Sequence, residues 1–205
     1  WRIDCFEGAK DLPAIVHCAA KLRVALKDQL LLFTFRTKAE GGKVALTHEE
    51  YLHFIRTVFA TDCADLIDIE FFTAGAELPA LIEEAHTAGA AVVCSSHDFH
   101  KTPLRAELVS RMVAMQQAGA DLPKLAVMPQ SRADVLELLA ATAEMADRHP
   151  ETPIITMSMG ALGAVSRLSG EALGSAMTFA NPGQASAPGQ VSLEVVNEVL
   201  DALHL

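Results

Sequence analysis

Short apolar runs alternate along the chain with longer stretches in which apolar residues recur every three or four positions. Runs of this length are typical of buried strands, and the longer period is that of an amphipathic helix. The predicted strands are 1–4 (a stub), 30–36, 66–72, 90–96, 124–129, 153–159 and 175–180. The predicted helices lie near 10–27, 48–61, 76–88, 103–118, 131–148, 163–172 and 192–203.

Capping signals support these helix boundaries. Thr47 is followed by two glutamates, and Ser131 is followed three residues later by Asp134, so both predict helix starts. Gly89 and Gly119 stand where helices are expected to end.

Alternating strands and helices predict a parallel sheet with right-handed crossovers. The turns after the strands lack the glycine-rich phosphate-binding patterns of doubly wound nucleotide folds. A parallel barrel has eight strands in about 250 residues, and this chain has 205 residues and falls one strand short. We therefore expect one α/β domain over residues 1–205, a parallel (β/α)8 TIM-type barrel without its first strand–helix unit and most of its second strand.

Composition narrows the possible partners and the compartment. Apolar residues make up 51% and charged residues 20% of the chain, as in an ordinary globular protein. A net charge of −10 argues against nucleic acid or an anionic membrane as a partner. The four cysteines show no CxxC spacing, which predicts buried free thiols and a cytoplasmic location. They are Cys5, Cys18, Cys63 and Cys94.

Charged residues are concentrated near the predicted strand ends. In parallel barrels the catalytic side chains converge at the carboxyl ends of the strands. Charged residues are rarely buried without a partner, so this concentration indicates a functional site. The residues are Arg2, Asp4, Arg36, Asp68, Glu70, His97, Asp98 and Lys124.

Lys124 lies on an otherwise apolar strand, where alternation groups it with Ala126 and Met128. Burial and neighbouring cations would lower the pKa of this lysine and favour the neutral amine, the form that attacks a carbonyl. The alternative is a lysine at the strand edge whose ammonium reaches solvent. The pattern alone leaves both interpretations open.

His97 and Arg167 also have two or more interpretations. His97 could act as a general acid and base, could be a core histidine bonded to a backbone carbonyl, or could join Asp98 and His100 in a metal site. The metal interpretation is the weakest, because adjacent strand residues point to opposite faces. Arg167 could clamp an anion or lie on the surface. Residues 181–189 could form a mobile lid or a plain loop.

Taken together, these motifs resemble the type I 3-dehydroquinate dehydratases, the Schiff-base class of the shikimate pathway. They occur in the family's order and cover the chain from end to end. The matching segments are Trp1-Arg2-Ile3-Asp4, Phe33-Thr34-Phe35-Arg36-Thr37, Glu40-Gly41-Gly42, Asp68-Ile69-Glu70, Ser96-His97-Asp98-Phe99, Lys124-Leu125-Ala126-Val127-Met128-Pro129, Met157-Ser158-Met159-Gly160, Ser166-Arg167 and Ala185-Ser186-Ala187-Pro188-Gly189-Gln190.

The resemblance implies dehydration of 3-dehydroquinate to 3-dehydroshikimate, without metal or organic cofactor. Lys124 would form an imine with the C3 ketone. His97 would remove the C2 proton and later protonate the departing C1 hydroxyl, and Glu40 would orient His97.

The resemblance also implies a binding set and an assembly. Arg167 would hold the substrate carboxylate, Arg2 and Arg36 the hydroxyl-bearing side, and Ser186 and Gln190 would close over the substrate. The expected assembly is a homodimer.

One departure from the family and several rival functions remain. Family members carry a glutamate before the Trp-Arg pair, whereas this chain begins at Trp1, so we expect an N-terminal portion to be absent. The rivals are another Schiff-base barrel enzyme of the class I aldolase type, a metal-dependent barrel enzyme, and a truncated barrel with impaired catalysis. The metal-dependent enzyme would use Asp68, Glu70, His97 and His100.

Overall fold

A computed structural model describes residues 1–183, 185 and 187–203. Within this part of the chain there are five strands: β1 Leu32–Thr34, β2 Leu66–Glu70, β3 Ala91–Asp98, β4 Leu122–Val127 and β5 Ile155–Ser158. The α-helices are α1 Leu12–Leu26, α2 His48–Phe59, α3 Phe71–Ala74, α4 Leu78–Thr87, α5 Arg105–Gln117, α6 Arg132–Arg148, α7 Ala164–Leu168 and α8 Leu193–Leu203.

The strands pair in parallel, as the alternation of elements predicts. β1 pairs with β2, with Leu32 opposite Leu66, and β2 pairs with β3. β4 pairs with β5, with Lys124 opposite Ile155. A helix follows each strand, so the helices make the crossovers that a parallel sheet requires.

The chain divides into two compact units, each with its own apolar core. The first comprises Trp1–Ser96 and Ala118–Asp121, and the second comprises His97–Gln117 and the described residues from Leu122 onward. Fully buried core residues include Ile15, Ile69, Leu81 and Val92 in the first unit and Leu108, Leu125, Leu138 and Ile155 in the second. The prediction of one domain over 1–205 stays a prediction.

The predicted capping residues are confirmed. Thr47 accepts a hydrogen bond from the Glu50 N–H, and the Glu50 carboxylate accepts one from the Thr47 N–H, which is a complete capping box. Ser131 and Asp134 form a second box at the start of α6. Gly89 adopts a left-handed φ of 81° directly after α4, as expected for a residue that ends a helix.

Two segments predicted to be strands do not form strands in the structure. Residues Ile3–Cys5 form a 3-10 turn, and only an isolated parallel bridge joins Arg2 to Thr34. The Asp4 side chain accepts backbone N–H groups here, so a side chain takes the place of ladder hydrogen bonds. Segment 175–180 likewise has one isolated bridge, from Ser175 to Ile154.

Several other predicted elements differ from the structure in their bounds, and β1 is shortened to Leu32–Thr34. The strand predicted at 66–72 ends at Glu70, because Phe71 and Phe72 already belong to α3. The helix predicted at 163–172 is a short α7 followed by a separate 3-10 turn, Glu171–Leu173. Gly170 lies between the two, which agrees with the low helix propensity of glycine.

The cysteine prediction needs a correction. All four thiols are free, but Cys5 is exposed, Cys18 and Cys63 are partly exposed, and only Cys94 is buried. Cys5 lies in the 3-10 turn rather than in a buried strand, which explains its exposure. As to membranes, none of the helices in the described residues combines the length and apolarity that a span requires.

Candidate active site

The first unit contains a buried ion cluster centred on Arg36, two residues after the end of β1. The Arg36 guanidinium donates to Asp68 Oδ2 at 2.7 Å and to Glu70 Oε1 at 3.0 Å. Its Nη1 also donates to Ser95 Oγ at 2.9 Å. Glu40 Oε2 lies 3.5 Å from the same nitrogen. Arg36, Asp68 and Glu70, three of the charged residues singled out in the sequence, therefore lie together in the first unit.

The three carboxylates of this cluster stabilise the charge on Arg36. Burial alone would lower the pKa of Arg36. The carboxylates of Asp68, Glu70 and Glu40 outweigh this effect, so the net pKa of the guanidinium lies above its ordinary value. Arg36 is thus a permanent, fixed positive charge.

Glu70 ties the segment after β1 to the end of β2. Its carboxylate accepts hydrogen bonds from the Thr37 N–H at 2.8 Å, the Thr37 hydroxyl at 2.7 Å and the Thr73 hydroxyl at 2.6 Å. The buried hydroxyl of Tyr51 accepts the Glu70 N–H at 2.8 Å. These three donors satisfy the Glu70 carboxylate and offset the cost of burying it.

Glu40 is buried at the end of a 3-10 turn, Lys38–Glu40, which is held close to Arg36. Gly41 ends this turn with a left-handed φ of 84°. A Cβ on Gly42 would lie 1.8 Å from the carbonyl oxygen of Arg36, so only glycine fits there. The two glycines are therefore a structural requirement of this turn.

Arg2 is held by Asp4 through two hydrogen bonds, of 2.7 and 2.8 Å. Burial on its own would raise the pKa of Asp4. The hydrogen bonds from Arg2 and from the N–H groups of Lys43 and Arg36 reverse this, and the net pKa lies below its usual range. Asp4 therefore connects the N-terminal turn to the loop that follows Glu40.

In the second unit, Lys124 lies on β4 and is 5% exposed. The interpretation of a strand-edge lysine reaching solvent is therefore wrong. Its ammonium nitrogen lies 4.7 Å from the centroid of the Phe179 ring. The amine is therefore largely removed from water.

Arg167 is a buried cation of a different kind, with 2% of its surface exposed. Its Nη1 lies 3.5 Å from the Met157 sulfur, and its Nη2 donates to the Pro188 carbonyl at 3.3 Å. Its Nε has no partner among the described residues, and burial lowers the pKa of the guanidinium. The surface interpretation is wrong, and a buried guanidinium with neutral partners is suited to bind an anion.

The register of β4 and β5 relates Arg167 to Lys124. Lys124 and Ala126 point to the same face of β4, and Met157 on β5 is the register partner of Ala126. Register partners share a face, so the Met157 side chain that contacts Arg167 lies on the face that carries Lys124. A carbonyl group and a carboxylate in one substrate would match such a pair of groups.

His97 lies near the end of β3 and is partly exposed. The adjacent Asp98 uses one carboxylate oxygen to accept the N–H groups of His100 and Lys101 at 2.9 and 3.0 Å. Asp98 thus shapes the loop after β3. Among the described residues, no group of three or more His, Cys, Asp or Glu side chains is arranged to hold a metal ion.

The segment predicted to be a lid is docked at its carboxyl end. The Pro188 carbonyl accepts the Gly160 N–H at 3.2 Å in addition to Arg167. Gly189 has a φ of 76°, and a Cβ there would lie 2.2 Å from the Gly160 carbonyl oxygen. Gln190 is partly exposed, while Ser186 lies outside the described residues.

Sequence reasoning missed Phe179 as a residue of the site. It lies in a segment that was predicted as an ordinary strand, and an isolated aromatic residue in such a run has no distinguishing pattern. Met157 was interpreted as core filler, and the structure adds its contact with Arg167.

The family model described as Type I 3-dehydroquinase matches residues 1–205, the entire chain. The chain belongs to this family. As a type I 3-dehydroquinase it is an enzyme, a lyase of the 3-dehydroquinate dehydratase class.

Individual relatives agree with this membership. A 3-dehydroquinate dehydratase from Klebsiella pneumoniae (strain 342) is 49% identical over 203 residues, which are 99% of this chain and 81% of that protein. One from Salmonella agona is 48% identical over 204 residues, which are 100% and 81% of the two chains. The chain thus spans about four-fifths of the length of these type I relatives.

Solved structures of the family establish the fold class. The type I enzyme from Clostridium difficile, determined with covalently modified comenic acid, is 44% identical, with a TM-score of 0.95. The match covers 100% of this chain and 80% of that one. A Geobacillus kaustophilus enzyme gives a TM-score of 0.94 at 38% identity, covering 99% and 79% of the two chains. The predicted fold class, parallel α/β of the TIM-barrel type, is confirmed.

Proposed function

We propose that this type I 3-dehydroquinase dehydrates 3-dehydroquinate to 3-dehydroshikimate through a Schiff base on Lys124. The observation that carries the proposal is the pair of buried basic groups in the second unit. Lys124 supplies an amine shielded from water, and Arg167 supplies a guanidinium whose partners are neutral. The substrate has one ketone and one carboxylate, so the two groups match its two reactive features.

The first stage joins substrate to enzyme. The neutral Lys124 amine adds to the C3 carbonyl, and the resulting carbinolamine gains a proton and loses water to give a cationic iminium. The iminium withdraws electrons from the adjacent carbon and acidifies the C2 proton. His97, in its neutral form, removes that proton and leaves an enamine.

The second stage expels water and releases the product. The enamine electrons return, the C1–O bond breaks, and protonated His97 delivers its proton to the departing hydroxyl. One water then hydrolyses the conjugated iminium, giving 3-dehydroshikimate and the free Lys124 amine. The net change is loss of one water, and His97 ends in the protonation state in which it began.

The remaining site residues take supporting roles in this proposal. Glu40 is the carboxylate that orients the base, as the family resemblance implies. Arg167 holds the substrate carboxylate, and Arg2 and Arg36 hold the hydroxyl-bearing side. Asp4 already fixes Arg2, and Asp68 fixes Arg36, so the positions of both cations are set before substrate binds. Ser186 and Gln190 close over the bound substrate.

The proposal also includes a biological context. The reaction is the third step of the shikimate pathway, which leads to chorismate and the aromatic amino acids. It uses no metal or organic cofactor. We place the enzyme in the cytoplasm as a homodimer, with the small-molecule substrate as its ligand and with no nucleic-acid or membrane partner.

Borohydride trapping tests the chemistry. The protein is incubated with 3-dehydroquinate, reduced, digested and mapped by mass spectrometry, with the variants Lys124→Ala and Lys101→Ala in parallel. Lys101 is an exposed lysine, so its variant should form the adduct at the level of the unmodified protein. The expected result is one adduct on Lys124, lost only in Lys124→Ala. An adduct on another lysine, or turnover without any adduct, would overturn the assigned site.

A further inference from the structure

The ring of Phe179 faces the nitrogen that reacts in the proposed mechanism. Its centroid lies 4.7 Å from Lys124 Nζ, within the range of about 6 Å in which a cation is attracted by an aromatic face. Lys124 is buried, so little water competes for this attraction. None of the roles described above assigns a function to this ring.

Hydrogen bonds hold the backbone on both sides of Phe179. Before it, the Ala176 N–H donates to the Ile154 carbonyl at 2.8 Å. After it, the Asn181 N–H donates to the Val191 carbonyl at 2.8 Å, and the Asn181 carbonyl accepts the Leu193 N–H at 2.9 Å. The segment that carries the ring is therefore anchored at each end, as a preorganised site requires.

The charge on the Lys124 nitrogen changes during the reaction. The attacking amine is neutral, the iminium is cationic, the enamine is neutral, and the second iminium is cationic again. A ring face attracts only the cationic states. An attraction that appears when charge develops lowers the barrier to that state, whereas one present throughout would not.

We propose that Phe179 is a catalytic residue whose ring stabilises the cationic Schiff base on Lys124. This role rests on the proposed function. The ring face lies 4.7 Å from the nitrogen on which the positive charge of the iminium develops, which is within cation–π range.

Fluorination of the ring at Phe179 gives a direct test. Mono-, di- and trifluorophenylalanine incorporated at this position preserve the size of the ring while progressively weakening its negative face. We expect kcat to fall stepwise along the series, by about tenfold in total for a cation–π interaction in a buried site. The borohydride-trapped fraction at Lys124 should fall in the same order.

Matched variants separate this role from packing. The same series at Phe54, whose ring packs against Phe35, should leave kcat unchanged. Phe179→Tyr keeps an aromatic face and should retain most of the activity, whereas Phe179→Leu should lower kcat by about tenfold, as the trifluorinated ring does. Thermal melting of each variant establishes that the fold is intact.

The possible failures can be told apart. If the unmodified protein forms the Lys124 adduct but kcat does not change with fluorination, the role of Phe179 is overturned and the Schiff base stands. If the unmodified protein turns over substrate and no adduct forms, the Schiff-base proposal fails and the role of Phe179 fails with it.

Discussion

Two buried arginines in this protein have opposite electrostatic surroundings. Arg36 faces three carboxylates, whereas Arg167 contacts a thioether and a backbone carbonyl. Removing a cation from water is costly, and a paired cation recovers much of that cost within the protein. Arg167 recovers less of this desolvation cost within the protein, so a bound anion would stabilise its charge more than it would stabilise the charge of Arg36. This contrast is the physical reason for assigning the substrate carboxylate to Arg167.

Replacement of the Arg167 guanidinium by a lysine ammonium should strongly lower kcat/KM. Lysine cannot make the planar, two-point contact that arginine makes with a carboxylate, so Arg167→Lys should lower kcat/KM by about a hundredfold. Steady-state kinetics measure this change. Arg148→Lys, at an exposed position on α6, is the matched control and should leave kcat/KM unaltered. Equal kinetics for both variants would remove Arg167 from the binding site.

At the level of elements, Pro188 and Gly189 are held by the turn that follows β5 and by α7. This docking places the Pro188 carbonyl against both Gly160 and Arg167. The close approach of Gly189 to Gly160 leaves no space for a side chain. The carboxyl end of the segment predicted to be a lid is thus attached to Gly160, two residues after the end of β5, and to Arg167 on α7.

A pair of glycine substitutions tests this docking. Gly189 and Gly89 have similar left-handed φ angles, 76° and 81°, but a Cβ meets the Gly160 backbone at Gly189 and nothing within 4 Å at Gly89. Gly89→Ala should therefore cost only the backbone strain, about 1 kcal/mol in the free energy of unfolding, with normal kinetics.

Gly189→Ala should carry that strain and also displace the loop, which should raise KM several-fold. Urea denaturation and substrate titrations measure the two effects. A normal KM for Gly189→Ala would show that the docked loop end does not contribute to substrate binding.

For the molecule as a whole, the net charge is negative, like the charge of the proposed substrate. A charge of −10 repels a carboxylate at long range, and the buried cations must overcome this repulsion locally. The same excess of carboxylates makes global stability sensitive to acid. Asp4 is well placed to contribute, because it joins the N-terminal turn to the loop after Glu40.

The pH dependence of stability follows from the lowered pKa of Asp4. The carboxyl has its usual pKa of about 3.9 when unfolded and a lower one when folded, so its contribution is fully present above that pH. It is lost as the pH falls through the folded-state pKa. Asp4→Asn should reduce the free energy of unfolding at neutral pH and flatten its fall below about pH 4.

Urea denaturation across this pH range measures the effect. Glu151→Gln, which removes one exposed carboxylate in the loop after α6, is the control and should follow the unmodified protein. An Asp4→Asn curve parallel to that of the unmodified protein at every pH would contradict the assignment.

Local patterns were sufficient for much of the architecture. Periodicity located the five strands and the long helices, because burial on one face imposes its spacing on neighbouring residues. The helix caps at Thr47 and Ser131 could also be predicted from the sequence, because a capping box is formed by two residues three positions apart. Alternation on the predicted strand 124–129 grouped Lys124 with Ala126, and the register of β4 agrees.

The residue types near the strand ends, and their order along the chain, could be read from the sequence. The burial of Arg167 beside neutral partners, the hydrogen bonds of Asp4 to backbone N–H groups and the contact of Phe179 with Lys124 became visible only in the folded molecule. The physical reason is distance along the chain. These contacts join residues that lie ten or more positions apart, and a local sequence period cannot reveal them.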